Sequence, residues 1–151
     1  MIEELIAHKL IIPLTIDGNR LYDLTMTGKN TLGKKVSHRG RGGLEHRYYL
    51  EKIKEHYLQS DGFTFVEKDD IDLVVETIEK TMAIQMETGK SNIQANLTRL
   101  GRYRADYKYV VTTNRETEIR IKEMLKDLLI PDKENIRVVF AKDFLTNPPI
   151  L

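Results

Sequence analysis

Between positions 63 and 87 the chain alternates short apolar runs with polar breaks: FTFV, then KDD, then IDLVV, then residues 76–81, then MAIQME. Runs of this length, rich in β-branched and apolar residues and bounded by turn formers, predict a meander of three strands. Upstream, LEHRYYLEKIKEHYL carries Tyr49, Leu50, Ile53 and Tyr57 at helical spacing. Downstream, SNIQANLTRLGRYR predicts a helix with Ile93, Leu97 and Leu100 inward, and YKYVVTT (107–113) a buried strand. Asn114 is placed to cap the helix RETEIRIKEMLKDLL, whose acidic first turn suits the helix dipole. IRVVF (136–140) is the last strand and NPPIL a tail. The order α-β-β-β-α-β-α-β predicts an α/β fold, a mixed sheet with helices on both faces.

The N-terminal pattern is different. Residues 1–9 predict a helix with Ile2, Leu5 and Ile6 on one face. IIPLTI, the turn DGN and RLYDLT then predict a hairpin, with a short helix expected at MTGKNTLGKK. RLYDLTMTGKNTL, with its Leu-Tyr-x-Leu-Thr-x-x-Gly phrase, resembles the second half of a winged-helix DNA-binding domain. The helices that precede the recognition helix in that family are missing, so residues 1–36 are expected to be a partial winged-helix-like segment of a longer protein. The alternative is a hairpin arm packed on the main domain. GKKVSHRGRGG (33–43) has four glycines and four basic residues with no acid. It reads as a flexible connector, with 37–43 as the linker proper. Lys34, Lys35, Arg39 and Arg41 are candidates for phosphate contacts, a solvated linker being the other reading. The main domain is then 44–146 and the tail 147–151.

Composition narrows the chemistry. Hydrophobic residues are 40% and charged residues 31% of the 151, enough for a packed core. Basic and acidic residues number 24 and 23, a net of +1, so any attraction to nucleic acid rests on local distribution. The absence of cysteine excludes disulfides, thiolate zinc sites and cysteine nucleophiles. No apolar run reaches a membrane span of ~18 residues, and MIEEL does not open like a signal peptide. No membrane partner and a cytoplasmic location are expected.

The meander also carries an unusual set of polar residues. Side chains alternate across a strand, so Gln85 and Glu87 share a face, and an antiparallel neighbour brings Asp72 towards them. Two carboxylates about 4 Å apart repel by roughly 4 kcal/mol at an effective dielectric near 20. A hard divalent ion offsets that repulsion and takes carboxylate and carboxamide oxygens. Such an ion polarises a phosphate and acidifies a bound water, and Lys90, just past Gly89, is the nearest ammonium to orient it.

Helix, meander, helix and strand, with Asp72 opening the second strand and acidic-type positions thirteen and fifteen residues later, resemble the PD-(D/E)XK superfamily of restriction-endonuclease-like nucleases. More narrowly, GGLEHRYYLEKIKEHY, DIDLVVE and MAIQMETGKSNIQANL are similar to a nuclease-fold domain attached to archaeal and mobile-element DNA-processing ATPases. The resemblance implies Asp72, Glu87, Gln85 and Glu45 as metal ligands for Mg²⁺ or Mn²⁺. It implies Lys90 as the water-orienting cation, completing a catalytic set of Asp72, Gln85, Glu87, Lys90 and Glu45. It also implies DNA as substrate, an ATPase or helicase as partner or parent chain, and a homodimer. Two positions depart from the family: Gln85 stands for an acid and Glu87 for the superfamily lysine. GKS is not a P-loop, because the first glycine would fall on Ile84.

Other residues carry less. His46 and His56 lie ten apart, a poor metal spacing, and are expected to be exposed or partly packed. Glu45 has ion pairing as its alternative, and Arg99, Arg102 and Arg104, with Tyr103 and Tyr107, are candidates for phosphate and base contacts or for a solvated helix face. Ser91 reads as a helix cap rather than a nucleophile. The expected function is a divalent-metal-dependent DNA nuclease. The alternatives are a catalytically degraded nuclease fold acting as a DNA-binding module, and a winged-helix regulator.

Overall fold

A computed structural model describes residues 2–8, 11–24, 43–59, 64–68 and 70–151. The chain forms two compact units, Met1–Leu44 and Glu45–Leu151.

The first unit contains α1 (Ile2–Ala7) and an antiparallel hairpin of β1 (Ile11–Ile16) and β2 (Asn19–Leu24). Asp17 and Gly18 connect the strands with φ of 51° and 76°. Positive φ at both positions matches the right-handed twist of the flanking strands, which is why Asp-Gly closes two-residue hairpins. The helix expected at MTGKNTLGKK, and Lys34, Lys35, Arg39 and Arg41, lie outside the described residues.

In the main domain α2 (Leu44–Leu58) leads into β3 (Thr64–Lys68), β4 (Ile71–Glu76) and β5 (Thr81–Glu87). Then follow α3 (Ile93–Arg102), β6 (Tyr107–Thr112), α4 (Arg115–Asp127), a 3₁₀ turn (Lys133–Asn135), β7 (Ile136–Phe140) and α5 (Ala141–Thr146). The five strands line up in chain order, β3-β4-β5-β6-β7. The first three pair antiparallel, and β5–β6 and β6–β7 pair parallel. The fold is therefore mixed α/β, with a mixed sheet flanked by helices. α5 is an addition to the expected order, formed by AKDFLT, a stretch too short for a clear periodic signal.

β5 is the central strand, and Met82 to Glu87 are all buried. Strands covered on both faces lose the alternating polar pattern, which explains the continuous run MAI at its start. On one face Val74, Ala83 and Val110 pack against Ile93, Leu97 and Leu100 of α3 and Ile121 of α4. On the other, Tyr109 meets Phe144 of α5 edge to face, with ring centres 5.4 Å apart. α2 buries Tyr49, Leu50, Ile53 and Tyr57, and the Tyr57 hydroxyl donates to the Pro149 carbonyl at 2.8 Å, tying down the tail.

Both crossover helices begin with an asparagine cap at the same end of the sheet. Asn92 Oδ1 accepts from Ala95 N at 3.1 Å, and Asn114 Oδ1 from Thr117 N at 2.8 Å. At the opposite end, buried Lys108 of β6 donates to the Gly101 carbonyl at 2.8 Å and pairs with Asp132. This bond closes α3 onto the loop before β7. Gly101 has no room for a side chain: a Cβ there would run into the Pro131 carbonyl oxygen.

Gly101→Ala should lower the stability of the main domain. The gain in helix propensity is about 1 kcal/mol. Overpacking against a backbone carbonyl costs about 1–3 kcal/mol, and here it also strains the Lys108 bond. A lower denaturant midpoint with unchanged slope is expected; a raised midpoint would show that the 130–132 loop gives way freely.

Candidate functional site

Asp72 is the second residue of β4, two positions before the Val74–Ala83 pair that registers β4 against β5. Antiparallel geometry carries it to Gln85 and Met86. Its Oδ2 accepts from Gln85 Nε2 at 2.7 Å and from the Met86 backbone N–H at 2.8 Å. His46 Nε2, from the first turn of α2, lies 3.2 Å from the same oxygen, with the two side chains only 9% and 8% exposed. One carboxylate oxygen thus gathers two strands and a helix.

Glu87 ends β5 on the same face as Gln85 and is fully buried. Its Oε2 accepts from the Ser91 hydroxyl, and its Oε1 from Asn96 Nδ2 at 2.6 Å. Asn96 in turn accepts from Arg99 Nη1 at 3.1 Å, so a chain of contacts runs from Glu87 along α3 to a cation. Burial holds the Glu87 carboxyl above the usual carboxylate range. The bonds from Ser91 and Asn96 oppose that shift, the Asp72 charge adds to it, and His46 opposes it. Asp72, His46 and Glu87 are therefore within electrostatic reach of one another.

Gln85 is 4% exposed, and among the described residues its Oε1 has no hydrogen-bond donor; His46 Nδ1 and Thr112 Oγ1 share that condition. A buried acceptor left unmet costs about 1–3 kcal/mol, which a bound water or cation recovers. Thr112 stands opposite Glu87 in the parallel β5–β6 register, so this end of the sheet concentrates unmet polar atoms.

Asp72, Gln85 and Glu87, expected together, are brought together. Glu45 stands half-buried in α2, and it is its neighbour His46 that reaches Asp72. This corrects the expectation of an exposed or partly packed His46; His56 is exposed as expected. Lys90 is exposed in the turn after Gly89, whose φ is 92°. A Cβ at Gly89 would lie 2.7 Å from Thr117 Oγ1, so glycine is what lets this turn press against α4. Ser91 is not the cap of α3, a role Asn92 takes; it faces Glu87 instead. Two residues that contact the cluster, His46 and Asn96, were not expected there, although their phase announced them. His46 lies in the stripe of Leu50, Ile53 and Tyr57, and Asn96 in that of Ile93, Leu97 and Leu100. A polar residue in phase with a buried stripe is a polar residue with something to bind.

Among the described residues no group of three or more His, Asp or Glu side chains is arranged as a preformed metal cage. The donor set is nonetheless of the type a hard divalent ion takes: two carboxylates and a carboxamide oxygen that nothing else engages. Comparison with protein-family models, curated proteins and solved structures finds no match.

In metal-free buffer, stability should fall as pH rises from about 4.5 through the raised folded-state pKa of Glu87. Across that interval the native state binds more protons than the unfolded state, so raising pH favours unfolding. Glu87→Gln removes the ionisable group and should melt higher than the wild type at neutral pH, with the gap closing below pH ~4.5. Melting curves against pH measure this. A variant that melts lower at every pH would mean the bonds from Ser91 and Asn96 need the carboxylate.

Proposed function

We propose that the protein is a divalent-metal-dependent DNA nuclease, or the nuclease domain of a DNA-processing protein. The observation that carries this is the convergence of Asp72, Gln85 and Glu87 at one end of β4 and β5, with the Gln85 carbonyl oxygen unmet. The order helix, three-strand meander, helix and parallel strand supports a restriction-endonuclease-like assignment. In this reading Asp72, Glu87 and Gln85 hold Mg²⁺ or Mn²⁺, with Glu45 as an auxiliary ligand. The metal supplies charge to the scissile phosphate and lowers the pKa of a water. His46 and Met86 N–H orient Asp72. Ser91 and Asn96 orient Glu87, and their release would free its oxygens. Lys90 is the ammonium nearest in sequence to steady the attacking water. DNA is the substrate, an ATPase or helicase the partner or parent chain, and a homodimer the assembly that places two sites on two strands.

A second reading, a DNA-binding module on a degraded nuclease fold, draws on one specific observation. Glu87 occupies the superfamily lysine's position, and both its oxygens are already engaged by neutral donors.

Incubation of plasmid DNA with the protein and millimolar Mg²⁺ or Mn²⁺ should give metal-dependent nicking that Asp72→Asn abolishes. DNA retention without cleavage in either metal would favour the binding module. Gln85→Glu should strengthen divalent-ion binding, because a charged oxygen replaces a neutral one. It should also lower the apo melting temperature through repulsion with Asp72 and Glu87, with Mn²⁺ restoring it in proportion to the logarithm of concentration over Kd. Identical melting with and without Mn²⁺ would remove Gln85 from any metal site.

A further inference from the structure

A cleft of about 880 Å³ runs along the outer side of α3. Its wall includes Gln94, Thr98, Arg99, Arg102 and Arg104, with Glu76 from the end of β4 as the acid among them. Three arginines against one carboxylate make the cleft basic in a chain whose net charge is only +1. Among the described residues Arg102 and Arg104 have no ion-pair partner, and both are exposed. The third arginine, Arg99, donates to Asn96, which donates to Glu87. The cleft therefore begins at Asn92, the cap beside the carboxylate site, and ends at Arg104.

We infer that this cleft seats a single strand of DNA, running along α3 so that its backbone passes the Glu87 end of the helix. The inference rests on the nuclease reading for the identity of the strand but on the cleft alone for its form. Arginine forks recognise phosphate oxygens bidentately, and the Gln94 carboxamide adds a neutral donor in the same wall. α3 has ten residues and spans about 15 Å, room for a few nucleotides in extended conformation. A duplex holds its phosphates on a broad outer surface and each strand to its complement. An unpaired strand leaves its phosphates and base edges free to follow a groove that runs along one helix. The nucleic-acid role expected for Arg99, Arg102 and Arg104 thus acquires a partner form.

The experiment measures anisotropy of a short fluorescein-labelled, mixed-sequence DNA oligonucleotide, single-stranded or annealed to its complement. EDTA is present to prevent cleavage, salt is varied, and the full chain is used. The wild type should bind the single strand at least about tenfold more tightly than the duplex. Each phosphate contact contributes about 0.7 to the salt slope for a single strand. Arg102→Glu with Arg104→Glu should therefore lower the slope by about 1.4 and weaken single-strand binding by tenfold or more. Both side chains are exposed, so an unchanged melting temperature verifies folding, and an unchanged Mn²⁺-dependent melting shift verifies the metal site separately. Equal or tighter duplex binding, an unchanged salt slope in the double variant, or equal competition by poly-glutamate of matched charge would each overturn the inference. Single-strand binding that depends on these arginines, without cleavage in Mn²⁺, would sustain the cleft while ending the nuclease reading. Cleavage without such dependence would do the reverse.

Discussion

Asp72 Oδ2 is the atom on which the candidate site depends. It takes the Gln85 amide, the Met86 backbone N–H and the nearby His46 ring, and so binds β4 to β5 and α2 to both. Hydrogen bonds to a charged group contribute about 1.5–3 kcal/mol each, against the cost of moving a carboxylate out of water. The same bond turns Gln85 so that its amide nitrogen faces Asp72 and its carbonyl oxygen faces no donor. A stabilising contact and an unmet acceptor are thus two ends of one side chain.

Glu87 solves burial differently. Among the described residues it has no cationic partner in direct contact, and it relies on a hydroxyl and a carboxamide, with the Arg99 charge relayed through Asn96. Neutral donors do not offset burial fully, so the carboxyl holds its proton more tightly than in water. The site thereby pairs a well-compensated carboxylate with a poorly compensated one. The poorly compensated one is where added positive charge has most to gain.

The sheet places these groups. β5 pairs antiparallel with β4 and parallel with β6, and this change of direction puts the start of β4, the end of β5 and the end of β6 at one edge. The turn after β5 and the caps of α3 and α4 converge there, with Thr113 N donating to the Glu87 carbonyl at 3.0 Å. In open α/β sheets the carboxyl ends of parallel strands are where loops leave space for ligands. Charge follows the same geometry. A nearly neutral chain concentrates Arg99, Arg102 and Arg104 in the cleft that leads along α3 from that edge to the opposite end of the sheet.

The order of elements was legible in the sequence. Apolar runs of strand length between turn formers, and helical stripes such as Ile93, Leu97 and Leu100, are local patterns that burial imposes residue by residue. Alternation also put Gln85 and Glu87 on one face and proposed Asp72 as their neighbour. Pairing choices were not local. Only the folded sheet decided that Asp72 takes Met86 N–H and Gln85, because register depends on which strand edges meet. Only the docking of α2 decided that His46, not Glu45, meets Asp72: successive helical residues point about 100° apart, and the choice rests with the packing of the stripe that includes Tyr57. Ser91 and Asn96 likewise became partners of Glu87 because the turn at Gly89 folds α3 back over the strand end, a contact set by three-dimensional closure.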